Sequence, residues 1–460
     1  MTRERRNVVV VTFDAARADR FGCYGYGRPT TPHVDAFARD ALLFERMITP
    51  SPWTVPSHAS FFTGLYPREH GADYPVPILA PGATTMAAHL GASGYSTVLV
   101  SNNPLVGRTS GLAQGVGRVL SRREFNPRLR RRWQRWAGNT LGLLDSGAAA
   151  TNRAVGEFLP RLSEPFFLFI NYMECHWKYL PPRRFERRFA RPRYSFLRSL
   201  RRRLAFRGHF SWEALLLGEA GDPEALSDLY DAELACVDEA FGQLLEMLRR
   251  TGAAERTVVV VLADHGEMLG EHEMSGHGMA LWQPLLHVPF LVRIPGRGAA
   301  RVRGMVQLND VFAGLGGVLG LPVPEALQDR LHGRDPFTLS PSDGGREFVF
   351  AEWQQWPEER IRQRRRRSPL VDFEQWPTAE AALDGRFKLI ATGRGEEQLF
   401  DLASDPAESV DVRARAPEQY RRLRRALEEW RETCRPRTTR VFTPEEERAI
   451  ADRLTQLGYM

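Results

Sequence analysis

Two strand-like runs end in residues that can hold a cation. Asn7-Val8-Val9-Val10-Val11-Thr12-Phe13 closes at Asp14, and the apolar run Thr257 to Ala263 closes at Asp264-His265. A carboxylate placed there is costly to bury unless it is paired, caps a following helix or binds a metal. Ligands of open α/β sheets sit outside the carboxyl ends of the strands. Brought together, these two ends offer two carboxylates and an imidazole, a donor set that suits Zn²⁺ or Mn²⁺ better than Ca²⁺. A third segment, Ser51-Pro52-Trp53-Thr54-Val55-Pro56-Ser57-His58-Ala59-Ser60, follows a strand-like stretch from Leu42 to Met47. Its Thr54 hydroxyl stands where a helix N-terminus would also point, a setting that favours anions. Taken alone, Thr54 reads first as an ordinary helix N-cap. A metal contact would make it a nucleophile, because metals lower the pKa of a bound oxygen.

The elements that must position these residues follow from the apolar pattern. Asn7 to Phe13, Thr97 to Val100, Phe166 to Tyr172, Thr257 to Ala263 and Val288 to Ile294 are continuous apolar runs, as expected of strands buried on both faces. Between them lie the helical stretches Thr31 to Ala41, Thr84 to Gly91 and Ala225 to Arg250, the last with an apolar stripe from Leu226 to Leu248. The alternation predicts an α/β fold with a mostly parallel central sheet and helices on both faces. Past about Leu321 the pattern changes. Phe348 to Glu352, Arg386 to Ile390 and Gln398 to Leu402 read as short antiparallel strands, Pro417 to Cys434 as a helix, and Thr443-Pro444-Glu445-Glu446 as the start of another. The expected organisation is a catalytic domain over 1–335, with Arg-rich insertions near 102–136 and 183–221, and a C-terminal subdomain over 336–460 with a short antiparallel sheet and terminal helices.

Composition narrows the class. The 460 residues are 43% hydrophobic and 26% charged, the balance of a globular chain. No apolar run approaches the ~18 residues of a membrane span. The basic start Met1-Thr2-Arg3-Glu4-Arg5-Arg6 runs directly into the first strand and has no cleavage site. Four scattered cysteines, Cys23, Cys175, Cys236 and Cys434, form no zinc-finger or disulfide pattern, so a cytoplasmic location is expected. The net charge of +7 is carried by arginine clusters at 122–135, 183–207 and 362–367. These read as solvated helix faces or as weak contacts to an anionic membrane surface, which would make the protein membrane-peripheral, and not as a specific nucleic-acid site.

In combination the motifs carry a resemblance that runs nearly end to end. Asn7 to Asp14 with Arg17-Ala18-Asp19 and Gly22-Cys23-Tyr24-Gly25, Thr31-Pro32-His33-Val34-Asp35, Trp53 to His58 with Thr63-Gly64-Leu65-Tyr66-Pro67, Ala263 to Glu267 with Gly270-Glu271-His272 and Gly276-His277-Gly278, Pro289 to Gly296, and Leu399 to Leu402 with Asp405-Pro406-Ala407-Glu408 resemble the sulfatase family of the alkaline phosphatase superfamily. The resemblance implies an alkaline-phosphatase-like fold and hydrolysis of a sulfate or phosphate ester. The chain departs from the family at five points. Thr54 stands where sulfatases carry the Cys or Ser that becomes formylglycine, and His58 where an Arg would follow. Asp14-Ala15 replaces paired aspartates, and Asp264-His265 replaces Asp-Asn. A lysine segment that holds sulfate in many sulfatases is not apparent near Asn102-Asn103-Pro104.

What remains is similar to the single-metal site of the superfamily's threonine enzymes, such as phosphoethanolamine transferases and lipoteichoic acid synthases. The resemblance implies one divalent metal on Asp14, Thr54, Asp264 and His265, and a covalent threonyl intermediate. His176, in Glu174-Cys175-His176-Trp177-Lys178-Tyr179, and His277 would hold the anion or protonate the leaving group, with His58 and Arg17 assisting. His272 and His287 read as structural. The expected substrate is an anionic ester on a small molecule, glycan or lipid headgroup. Two alternatives stay open: a phosphoryl transferase acting on a lipid or glycan, and a non-catalytic anion-binding member of the fold.

Overall fold

The computed structural model describes residues 5–121, 124, 138, 141–189, 223–332, 335–359, 361–362 and 373–434. Much of the arginine-rich sequence, all of 443–460 and most of the insertion 183–221 therefore lie outside the described residues.

The strands, in chain order, are β1 (Asn7–Phe13), β2 (Leu42–Ile48), β3 (Ser96–Ser101), β4 (Arg118–Ser121), β5 (Phe166–Tyr172), β6 (Thr257–Leu262), β7 (Met268–Leu269), β8 (Ser275–Gly276), β9 (His287–Val288), β10 (Phe290–Arg293) and β11 (Ala300–Gln307). The central sheet runs β11-β2-β10-β6-β1-β5-β3-β4, with β9 paired to β2. It is mostly parallel: β10 lies antiparallel to β6 and β2, and β9 antiparallel to β2. The run read as one strand from Val288 to Ile294 is thus two, divided at Pro289, which has no N–H to give a ladder. β7 and β8 form a separate ribbon.

Val8 to Val11 and Val258 to Val261 are wholly buried, as strands covered on both faces must be. The register Val10↔Phe169 puts Phe169 on the face opposite Phe13, since side chains alternate along β1. Phe13 meets Phe241 of the long helix Pro223–Arg250. Phe169 meets Phe61 and Phe62 of the helix Thr54–Thr63. Helices therefore cover both faces.

A second sheet is built from β12 (Val349–Trp353), β13 (Ala379–Leu383), β14 (Phe387–Thr392) and β15 (Glu397–Asp401), antiparallel in sequence order. β13 is not legible as a strand because Ala-Glu-Ala-Ala-Leu carries helix formers. The helix Pro417–Thr433 packs on β13 and β14.

Candidate active site

Four neighbouring strands deliver the centre of the site. β1 ends in Asp14, which is fully buried. Its Oδ2 accepts the side-chain amides of Asn103, just beyond β3, at 2.8 Å and of Asn171, in β5, at 3.1 Å. Its Oδ1 is buried and has no hydrogen-bond partner among the described residues. β6 leads into Asp264, whose Oδ1 accepts the backbone N–H of Ala15 at 3.1 Å, while Oδ2 makes no hydrogen bond among the described residues. Ala15 holds a left-handed conformation (φ 62°), backbone strain of the kind that clusters at functional sites. Its methyl stands where the sulfatase pattern has a second aspartate, so this chain brings one oxygen ligand fewer.

His265 is fixed by its Nδ1–H, which donates to the Gly266 carbonyl at 2.8 Å, leaving the Nε2 lone pair to face the centre. Nε2 lies 3.4 Å from Asp264 Oδ2, 4.0 Å from Asp14 Oδ1 and 3.3 Å from Thr54 Oγ1. Burial pushes this imidazole below its ordinary pKa, outweighing Asp264, so its neutral, ligating form is favoured. Gly266 is obligatory, since a Cβ there would lie 1.9 Å from the Pro284 carbonyl oxygen.

Thr54 is the first residue of the helix Thr54–Thr63 and is 1% exposed. It is not the N-cap; that residue is Trp53. The Ser57 hydroxyl donates to the Asp264 carbonyl at 2.5 Å and so pins the helix start to the end of β6.

Ligands ~2.0–2.2 Å from a tetrahedral metal lie ~3.3–3.6 Å apart. The oxygen and nitrogen atoms of Asp14, Asp264 and His265 lie within 4.8 Å of one another. Two orphaned carboxylate oxygens and an aimed imidazole lone pair fit a single divalent cation.

The other predicted histidines gather around this centre. His58 Nδ1–H donates to the Thr54 carbonyl at 2.9 Å and stands 3.3 Å from Asp264 Oδ2. Burial opposes its protonation, yet the Asp264 carboxylate, helped by Asp14, raises its pKa above the ordinary value. Burial likewise opposes ionisation of Asp264, but His265 and His58 hold its carboxyl below the usual range. The His277 ring lies 4.4 Å from that of His265 and 4.7 Å from that of His176. His277 Nδ1–H donates to Glu267 Oε1 at 2.7 Å, and His176 Nδ1–H to the Trp177 carbonyl at 2.6 Å. All four imidazoles are thus anchored through Nδ1. The Nε2 atoms of His58 and His176 are buried and have no hydrogen-bond partner among the described residues.

Glu267, not singled out from the sequence, ties this group together. It is fully buried, accepts from His277, and takes the Trp177 N–H at 3.1 Å through Oε2. Despite its burial, His277 and the other imidazoles hold its carboxyl below the ordinary range. Asn103 and Asn171 were missed as well; a polar residue inside the apolar run Phe166–Tyr172 was the available signal.

Arg17 has a different place. Its guanidinium is bound by Asp19 at 2.7 Å, by Glu271 at 2.7 Å and by the Glu267 carbonyl at 3.1 Å. This bracing of the loop after β6 occupies the donors that an anion would need. His287 donates to the Glu45 carbonyl at 2.8 Å, and His272 stacks on Trp282.

The sulfatase family model matches residues 6–321. The chain belongs to the sulfatase family. It is 24% identical over 496 residues to the uncharacterized sulfatase YidJ of Escherichia coli (strain K12), covering 96% of this chain and 94% of that protein. It is 25% identical to the ulvan-active sulfatase of Formosa agariphila, covering 70% of this chain and 63% of that one. Among solved structures, the phosphonate monoester hydrolase of Agrobacterium radiobacter superposes with a TM-score of 0.70 at 22% identity, over 94% of this chain and 96% of that one. The sulfatase-family fold thus places this ester hydrolase's strand ends, its Thr54 helix and its histidine cluster in one buried centre. Among the described residues no helix is long and apolar enough to cross a membrane.

Proposed function

We propose that this sulfatase-family hydrolase is metal-dependent and cleaves an anionic ester, a phosphate ester in preference to a sulfate ester, through a covalent ester on Thr54. The observation that carries this reading is the convergence of Thr54 Oγ1, His265 Nε2 and the two oxygens of Asp14 and Asp264 that make no hydrogen bond among the described residues. A threonine cannot become the formylglycine aldehyde, so the attacking oxygen is the side chain's own. A bound Zn²⁺ or Mn²⁺ on Asp14, Asp264, His265 and Thr54 would supply positive charge that lowers the hydroxyl's pKa and offsets the anion's charge.

Thr54 Oγ1, its proton released to solvent, bonds to phosphorus or sulfur as the bond to the leaving oxygen breaks. The leaving oxygen takes a proton from His277 or His176, whose rings lead outward from His265. His58 and the first turn of the Thr54 helix face the equatorial oxygens. Water then attacks the phosphorus or sulfur, giving a proton to the histidine that lost one, as the bond to Thr54 Oγ1 breaks and that oxygen regains a proton from solvent. Such transfers depend mainly on positioned charge. Release to a second alcohol instead of water would make the protein a transferase on a lipid or glycan, which product analysis with added alcohol distinguishes.

The test is Thr54→Ala beside Asp264→Ala, assayed on aryl phosphate mono- and diesters, phosphonates and sulfates. Thr54→Ala is expected to lower kcat by ~10³-fold or more with the fold kept, and Asp264→Ala to remove the ion bound at this centre as well. Rapid quenching of the wild type should leave the acyl-like phosphoryl or sulfuryl group on the peptide containing Thr54. Full activity in both variants would remove the proposal.

A further inference from the structure

Away from the strand ends, Glu69, His332 and Cys434 offer a carboxylate oxygen, an imidazole nitrogen and a thiol sulfur within 4.8 Å of one another. They come from three distant parts of the chain. Glu69 lies in the helical turn Pro67–His70 that follows the Thr54 helix. His332 lies beyond the turn Glu325–Leu327, and Cys434 closes the helix Pro417–Thr433. Glu69 is 2% and Cys434 1% exposed.

His332 Nε2 is 3.0 Å from Glu69 Oε1 and 3.5 Å from Cys434 Sγ. Both neighbours meet the same ring nitrogen. A relay that activates a thiol needs the nucleophile on one imidazole nitrogen and the acid on the other. Three donors converging on one point is instead what a cation requires. Ligands ~2.0–2.3 Å from a tetrahedral Zn²⁺ lie ~3.3–3.7 Å apart, close to the spacing here. Among the described residues no arginine or lysine side chain pairs with the Glu69 carboxylate. Its Oε2 accepts the backbone N–H of Tyr66 at 3.0 Å. Arg68 is engaged by Glu352 and Glu380, and Arg330 reaches the Glu69 carbonyl rather than its carboxylate. The Tyr66 ring, 5.8 Å from that of His332, walls one side.

We propose that Glu69, His332 and Cys434 form a second metal site, separate from the Thr54 centre, that takes a borderline-soft divalent cation such as Zn²⁺. Thiolate, imidazole and carboxylate together select Zn²⁺ over Mg²⁺ or Ca²⁺. On binding, the thiol releases one proton, and the imidazole proton moves from Nε2 to Nδ1 so that the Nε2 lone pair meets the ion. The His332 side chain is 26% exposed, which gives the ion an entry path and its fourth position a water. The bound ion clips the C-terminal helix to the segment immediately after the nucleophile helix.

Cobalt separates this site from the first, because only a cysteine ligand gives thiolate-to-cobalt charge-transfer absorption. Co²⁺ titrated into metal-free full-length protein should produce that band in the wild type and equally in Asp264→Ala. Cys434→Ser, nearly isosteric, should lose it with an unchanged circular dichroism spectrum, and His332→Gln should weaken Co²⁺ binding at this site ~10-fold or more. Bound Zn²⁺ should fall from two ions per chain to one in Cys434→Ser. A wild-type protein without the band at saturating Co²⁺, or a band that survives in Cys434→Ser, would overturn the proposal.

Discussion

Two regions of this molecule bury charge, and they do so in opposite ways. At the strand ends, Asp14 Oδ1 and Asp264 Oδ2 are enclosed without hydrogen bonds and face one another's surroundings. Around the C-terminal sheet, charged side chains meet their opposites. Arg68 pairs with Glu352 and Glu380, Arg431 joins Glu380, Arg346 meets Asp310, and Lys388 Nζ lies 2.6 Å from Glu408 Oε1. A buried carboxylate without a partner is expensive, whereas a paired one serves the fold. Substitutions should therefore cost activity at the first region and stability at the second.

The largest stability effect belongs to Lys388 and Glu408, both fully enclosed. Glu408 Oε2 also accepts the Gln283 N–H at 2.6 Å, so the pair ties β14 to the segment that follows His277. Lys388→Met strands the Glu408 carboxylate and should cost about 3–5 kcal/mol of unfolding free energy, measured by urea denaturation. Lys388→Met with Glu408→Gln removes both charges and should recover much of that loss. Equal losses in the single and double variants would show that the pairing is not what matters there.

The same contrast explains what could be read from the chain alone. Asp14, Asp264 and His265 were legible because charge at the end of an apolar strand is anomalous, and Thr54 through the motif around it. The mainly parallel sheet was legible from uninterrupted valine runs. Glu267, Asn103 and Asn171 were not assigned, because the asparagines depend on β5 and then β3 following β1 across the sheet, and Glu267 on the loops after β5 and β6 meeting, an order that no local pattern encodes. Arg17 looked like an anion ligand because its partner Glu271 is 254 residues away. The trio Glu69, His332 and Cys434 has no motif spacing at all; only the packing of the last helix joins it.

Glu352 sharpens the comparison through pH. Burial raises its carboxyl to about 7, with Arg68 opposing and Glu380 adding to the rise; Asp73 and Arg431, through Glu380, complete its charged surroundings. The folded state therefore binds this proton more tightly than the unfolded chain. Its contribution is fully present below pH ~4.5 and is lost as pH rises through ~7, a loss on the order of 3 kcal/mol. Glu352→Gln should flatten that part of the stability curve. His70, whose pKa burial lowers to about 3, works in the other direction, with stability lost as pH falls below ~6.5. The difference between the wild-type and Glu352→Gln curves isolates the Glu352 contribution. A difference that does not change between pH 4.5 and 7 would count against a raised Glu352 pKa.

The smallest effect is the most telling. Asn at position 14 can keep a carbonyl oxygen for the amides of Asn103 and Asn171 while placing a neutral amide where Oδ1 now faces His265. In protein stripped of metal, Asp14→Asn should leave stability unchanged or raise it by about 1 kcal/mol, because it removes an uncompensated buried charge. Added Zn²⁺ at 100 times the Kd of this centre should stabilise the wild type by about 2.7 kcal/mol more than a variant that has lost the site. The sign is opposite to that expected at Lys388, where neutralising one partner destabilises. If Asp14→Asn instead costs more than about 2 kcal/mol without metal, Asp14 is a structural acid like those around the second sheet, and the distinction between the two regions fails.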